Sequence, residues 1–136
     1  MKTGWGRVAY RTTGSGPPVL LVTGYSGTME SWDRRLVDGL ARHHRVIVFD
    51  NAGIGRTQAV PPPLTVDAMA DQTSALIRAL HLGRVDVLGW SMGSMIAQAL
   101  AVRHPTEVRR LALCASYPGD GTAVPPSRVG RNRPER

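Results

Sequence analysis

Short runs of apolar residues alternate along this 136-residue chain with longer segments whose apolar residues recur at helical spacing. The short runs are rich in β-branched residues and lack alternation, which is typical of strands covered on both faces. They predict strands at 19–23, 45–50, 84–90 and 108–115. Around Val8 apolar and polar residues alternate instead, and this segment predicts a half-buried strand.

The longer segments predict three helices. The first begins near Ser31, the second follows the N-cap Thr65 and ends at Gly83, and the third follows Ser91 and ends before Pro105. The apolar stripe of the first helix is formed by Trp32, Leu36, Val37 and Leu40. Strands that alternate with helices predict an α/β fold, with a mostly parallel sheet and helices on both of its faces.

Glycine-bearing loops follow three of the predicted strands, after Thr23, Asp50 and Trp90. In open sheets of this class the chemistry lies at the carboxyl ends of the strands, so these loops are the first candidates for a site. The third loop reads Gly89-Trp90-Ser91-Met92-Gly93 and fits the G-x-S-x-G nucleophile elbow. Its context is the required one, because a strand precedes it and a helix follows.

The elbow pattern predicts a strained turn at the start of a helix, from which the side chain of Ser91 projects above the carboxyl edge of the sheet. Gly89 and Gly93 let neighbouring backbone pass closely on either side of it. The N–H of Met92 and the helix dipole are then placed to stabilise a developing oxyanion. The alternative is a serine that only caps a helix at a glycine-rich turn.

Three segments together resemble the N-terminal half of α/β-hydrolase-fold proteins of the esterase, lipase and cofactor-free haloperoxidase-like group. They are residues 20–27, residues 49–57 and the Ser91 elbow, and the resemblance spans residues 7–118. It implies a truncated α/β-hydrolase fold with the elbow after a central strand. It also implies that Ser91 is the nucleophile, that the backbone N–H groups of Met92 and Tyr25 form the oxyanion hole, and that Gly24 permits close backbone approach there.

The function that this resemblance implies is hydrolysis of small ester-type acyl substrates through an acyl-enzyme on Ser91, without a cofactor or a metal. Two residues depart from the family pattern, because Thr23 stands where a histidine is usual and Ala52 where an arginine is usual. The serine nucleophile argues against the dehalogenase and epoxide-hydrolase branches, which use aspartate. Relatives that use the same half-site for perhydrolysis or carbon–carbon cleavage remain an alternative.

An activated serine needs a general base and an acid that orients it, and in this family both follow the nucleophile. The histidines of the chain, His43, His44, His81 and His104, are all predicted away from the serine. Asp120 follows the last strand and is a weak candidate for the acid. The alternative function is therefore a catalytically silent fragment or an interaction module that lacks the triad histidine, from a truncated or frameshifted gene.

Composition changes this picture little. Four arginines against one glutamate at 127–136 contribute +3 of the net charge of +7, and no nucleic-acid-binding motif accompanies them.

We expect residues 1–118 to form the hydrolase half and 119–136 a Gly/Pro/Arg-rich loop or tail. The lone Cys114 is expected to be a buried thiol, and with no visible signal peptide or membrane span the compartment is expected to be the cytoplasm.

The expected partners are a small acyl substrate and no nucleic acid or membrane. The last predicted strand, at 108–115, would lie at an open edge of the sheet, where unpaired backbone groups can template association. We therefore expect self-association of the chain or a complementing C-terminal half.

Overall fold

A computed structural model describes residues 1–58 and 63–116 of the chain. The strands lie at β1 (Lys2–Thr3), β2 (Gly6–Arg7), β3 (Tyr10–Thr13), β4 (Pro18–Val22), β5 (Arg45–Phe49), β6 (Val85–Trp90) and β7 (Val108–Cys114). The helices lie at α1 (Arg34–Ala41), α2 (Val66–Ala79) and α3 (Met92–Arg103), and a short 3₁₀ turn occupies Met29–Ser31.

Five of the described strands form one sheet in the order β3-β5-β4-β6-β7. Strands β5, β4, β6 and β7 run parallel to one another, and β3 is antiparallel to β5. The predicted α/β class and the mostly parallel sheet are confirmed. The parallel strands bring the loops after β4, β5 and β6 to the same edge of the sheet.

The core consists of two apolar layers, one on each face of the sheet. The larger layer packs α2 and α3 against the sheet and contains Leu20, Ile47, Phe49, Leu76, Ile77, Ile96 and Leu100. The smaller layer packs α1 against β4 and β5 and contains Val19, Leu21, Val46 and Val48. Helices therefore cover both faces of the sheet, as the alternation of elements predicts.

The first helix differs from its prediction. It begins at Arg34 rather than near Ser31, because the carboxylate of Asp33 accepts a hydrogen bond from the N–H of Arg35 at 2.7 Å and caps the helix there. Trp32, just before this cap, has an extended backbone. Leu36 was predicted on the buried stripe but is 38% exposed, and it faces the cavity described below.

Strand β7 lies at the end of the sheet order and most of its side chains are exposed. Cys114 at its end is only partly buried, so the prediction of a buried thiol is wrong. The reason is that, among the described residues, nothing lies beyond this edge of the sheet. Next to it, the guanidinium of Arg109 binds Asp86 on β6 and lowers the pKa of that carboxyl group below its ordinary value.

Gln72 on α2 is buried without polar compensation. It is 1% exposed, and neither its amide oxygen nor its amide nitrogen has a hydrogen-bond partner in the part of the chain that the structure describes. A buried amide without partners retains its full desolvation penalty. Methionine has a similar length and no polar group.

We therefore expect Gln72→Met to raise the free energy of unfolding by about 1–2 kcal/mol, measured by urea titration. The matched control is Gln98→Met on α3, whose amide nitrogen donates to the Ser94 carbonyl at 3.3 Å and to the Ser116 hydroxyl at 3.0 Å. This control should lower the stability. A loss of stability in Gln72→Met as large as in the control would contradict the argument.

Candidate active site

Ser91 stands between β6 and α3 in a backbone conformation that is rare for a residue with a side chain. Its φ is 54° and its ψ is −122°, and its side chain is exposed at the carboxyl edge of the sheet. The turn is held by the Ser91 N–H, which donates to the Cys114 carbonyl at 2.9 Å. The Ser91 carbonyl accepts from the N–H of Ser94 at 2.9 Å and from its hydroxyl at 2.6 Å. Strain that is fixed in this way is typical of functional positions.

The two elbow glycines are required by close backbone contacts. A Cβ on Gly89 would lie 2.5 Å from the Gly93 carbonyl oxygen and 2.6 Å from the Cα of Ser94. A Cβ on Gly93 would overlap the carbonyl oxygen of Val22, at the end of β4. The first turn of α3 therefore packs closely against the ends of β4 and β6, while Ser91 itself stays exposed.

The loop after β4 packs directly against the elbow. A Cβ on Gly24 would lie 3.2 Å from the Trp90 carbonyl oxygen and 3.3 Å from the Cβ of Ser91. A side chain at position 24 would therefore be crowded by the elbow. The next residue, Tyr25, lines the same cavity as Ser91.

Thr23 and Asn51 join the first two loops. Thr23 is buried, and its hydroxyl donates to the Gly27 carbonyl at 3.1 Å. The side-chain amide of Asn51 donates to the carbonyl of Thr23 at 3.2 Å and to its hydroxyl at 3.3 Å. Thr23, where the resemblance leads one to expect a histidine, thus fixes the loop.

Asp50 anchors the segments that follow β4 and β5. Its carboxylate is 2% exposed and accepts from the N–H of Met29 at 2.7 Å and from the N–H of Arg56 at 2.9 Å. Gly55 leaves room for it, since a Cβ there would overlap the carboxylate. Ala52, where the resemblance leads one to expect an arginine, is buried. These bonds join Asp50 to Met29, 21 residues earlier, and to Arg56, six residues later, and no sequence pattern predicts either bond.

A cavity of about 530 Å³ opens in front of Ser91. Its lining includes Gly24, Tyr25, Trp32, Leu36, Trp90 and Ser91. Tyr25 and Trp90 are exposed by 83% and 53%, so the serine is surrounded by aromatic surface that a ligand could cover.

Met92 is the first residue of α3, a helix of 12 residues. The N–H groups of a helix's first turn have no partner within the helix, and the helix dipole makes this end positive. An oxygen that becomes negative beside Ser91 would therefore meet a favourable field.

The four histidines of the sequence lie far from Ser91. His43 and His44 precede β5 and His81 precedes β6, which places them at the amino ends of parallel strands, opposite the serine. His104 ends α3, at a distance along the helix from Ser91 of about 20 Å at 1.5 Å per residue.

His104 is engaged elsewhere, because its Nε2 lies 2.7 Å from the carboxylate of Asp71 on α2. Hydrogen bonds from Arg103 and then His104 lower the pKa of Asp71. Asp120 lies outside the described residues. Within 1–58 and 63–116, no three His, Cys, Asp or Glu side chains are grouped so that they could hold a metal ion.

A mostly parallel sheet with a serine elbow at its carboxyl edge defines the α/β-hydrolase class of proteins. The chain belongs to the α/β-hydrolase fold family, which it matches over residues 17–129. The resemblance inferred from the three loop segments is thereby confirmed.

Two similar proteins and one solved structure show the range of this family. A candidate non-heme bromoperoxidase of Mycobacterium tuberculosis, BpoC, is 38% identical over 110 residues, which cover 80% of this chain and 42% of that protein. A 2-hydroxy-6-oxo-2,4-heptadienoate hydrolase of Pseudomonas putida is 38% identical over 104 residues, covering 74% of this chain and 37% of that protein.

The solved structure is that of a thermophilic esterase from Thermogutta terrifontis. It superimposes with a TM-score of 0.74 at 36% identity, covering 79% of this chain and 39% of the esterase. The chain thus spans about two fifths of the length of the relatives it matches. None of the helices that the structure describes is both long enough and apolar enough to cross a membrane.

Proposed function

We propose that this chain carries the nucleophile half of a serine hydrolase that acts on ester-type acyl substrates. The observation that carries the proposal is the conformation of Ser91, which is strained, exposed and fixed at the start of α3 with the Gly24 loop against it. A serine that only caps a helix would bind the first turn with its hydroxyl, and Ser91 makes no such side-chain cap hydrogen bond. The esterase relative supports the choice of substrate class.

In the proposed reaction the Ser91 hydroxyl oxygen attacks the carbonyl carbon of the ester, and the hydroxyl proton passes to a general base. The carbonyl oxygen becomes negative and accepts hydrogen bonds from the backbone N–H groups of Met92 and Tyr25. Collapse of this intermediate expels the alcohol and leaves the acyl group on Ser91. A water molecule then attacks the carbonyl carbon of the acyl-enzyme and gives its proton to the same base. The bond to the Ser91 oxygen breaks, and the acid leaves.

The base and its orienting acid would have to come from another segment. None of the four histidines is near Ser91, and the relatives are more than twice as long as the part of them that this chain matches. We propose that a complementing C-terminal half supplies the histidine, and Asp120 stays a candidate for the acid. If no such segment joins this chain, the alternative of a catalytically silent fragment or interaction module applies.

A serine-directed fluorophosphonate probe tests the proposal. We expect the probe to label Ser91 only when a base is present, so the 136-residue chain should be labelled when imidazole is added as an external base, and peptide mapping should place the label on Ser91. Ser91→Ala should abolish the labelling. The control Ser15→Ala, in an exposed loop remote from the elbow, should label like the parent chain.

Two results of this experiment would contradict the proposal. One is labelling that survives Ser91→Ala, because the reactive group would then lie elsewhere. The other is a complete lack of labelling in the presence of imidazole, because an exposed serine at the start of α3 should react once an external base can take its proton. That second result favours the silent fragment.

A further inference from the structure

A second cavity, of about 380 Å³, opens beside strand β3 and is lined by three arginines, Arg7, Arg11 and Arg56. Val8, Tyr10 and Met29 also line it, and none of its lining residues is acidic. We call it the arginine cavity. It is separate from the cavity in front of Ser91, with which it shares no lining residue.

The arginine cavity lies at the functional edge of the sheet. Tyr10 pairs with Phe49 at the carboxyl end of β5, and Arg56 belongs to the loop that follows. In the order β6-β4-β5-β3, three strand spacings of about 4.8 Å separate it laterally from the elbow, which amounts to about 14 Å. Ligands of parallel α/β sheets bind along this edge.

The positive charge of this cavity is only partly neutralised. The Arg11 guanidinium binds the Glu30 carboxylate at 2.6 and 3.2 Å. The side chains of Arg7 and Arg56 have no carboxylate partner among the described residues, and the neighbouring segment 59–62 contains no acidic residue. The guanidinium groups of Arg7 and Arg56 are therefore available to a ligand, and the buried carboxylate of Asp50 behind the walls offsets part of the positive charge.

The walls of the cavity are fixed without a ligand. Asp50 binds the backbone N–H of Met29 on one wall and that of Arg56 on the other. The Ala9 N–H donates to the Thr57 hydroxyl at 3.0 Å, which ties the start of β3 to the same loop. The backbone that carries the arginines is thus fixed, and guanidinium groups are well suited to oxyanions, since each presents a planar fork of donors.

We propose that the arginine cavity binds a small dianionic phosphate compound. The guanidinium groups of Arg7 and Arg56, which lack a carboxylate partner among the described residues, can together bind the oxygens of a phosphate dianion, and the exposed part of Tyr10 on the lining could contact a short organic group attached to it. The site is independent of catalysis at Ser91 and does not rest on the proposed hydrolase activity.

Isothermal titration calorimetry of the full chain with inorganic phosphate, methyl phosphate and acetate, at constant ionic strength, tests this proposal. We expect saturable binding of both phosphates and at least fivefold weaker binding of acetate. Arg7→Gln combined with Arg56→Gln should weaken phosphate binding at least tenfold. The control, Arg34→Gln combined with Arg35→Gln, removes the same charge from the exposed start of α1 and should change binding less than twofold.

Three outcomes would overturn the proposal. The first is an absence of saturable phosphate binding to the parent chain. The second is an equal loss of affinity in both double variants, since phosphate would then respond only to net charge. The third is equal affinity for acetate and phosphate, which would exclude a site built for a dianion. Circular dichroism of each variant establishes that it is folded.

Discussion

Gly93→Ala is expected to destabilise the chain by at least about 3 kcal/mol, although glycine to alanine inside a helix ordinarily stabilises. The added Cβ would overlap the Val22 carbonyl oxygen and would lie 2.6 Å from that of Thr23. Both atoms are backbone at the end of a central strand, so no side chain can rotate aside. Relief would require α3 to move away from β4, which would also displace the elbow at Ser91.

The matched control is Gly39→Ala in α1. A Cβ at Gly39 meets no atom within 4 Å, so only the helix propensity and the unfolded-state entropy change. This variant should gain about 0.5–1 kcal/mol. Urea titration of both variants measures whether each substitution raises or lowers the free energy of unfolding. A midpoint for Gly93→Ala equal to or above that of the parent chain would contradict the packing argument.

The elbow could be predicted from sequence because its determinants are local. Two glycines, a serine and the change from strand to helix lie within a few residues, and together they fix the backbone of Ser91. The parallel sheet could be predicted for a similar reason, since buried strands joined by helices pack in parallel.

The parts that sequence reasoning missed depend on contacts between distant segments. Asp50 reaches Met29, 21 residues earlier, and the Thr57 hydroxyl reaches Ala9, 48 residues earlier. The spacing of apolar and polar residues along the sequence does not predict which distant residues form such hydrogen bonds. Cys114 was misjudged because an apolar strand predicts burial only when another layer or strand covers it, and β7 lies at the sheet edge among the described residues.

The arginine cavity illustrates the same limit. Arg7, Arg11 and Arg56 look like scattered surface charges in the sequence, and only the pairing of β3 with β5 brings them around one cavity. Net charge by itself therefore says little about a binding site, whereas the fold can assemble a local field from residues far apart in the chain.

Asp50→Asn is expected to lower the free energy of unfolding by about 3 kcal/mol. The amide oxygen can replace one carboxylate oxygen, but the NH₂ group must then face either the Met29 N–H or the Arg56 N–H. One buried backbone donor would lose its acceptor and meet another donor. The charge that strengthens both hydrogen bonds is also lost.

Asp33→Asn is the control, because Asp33 also accepts from a backbone N–H, that of Arg35, but at an exposed helix cap where asparagine serves equally well. It should change the stability by less than about 0.5 kcal/mol. Amide hydrogen exchange adds a local readout: only Asp50→Asn should speed exchange at Met29 and Arg56. Unchanged exchange at both amides would show that Asp50 does not anchor the segments that contain Met29 and Arg56.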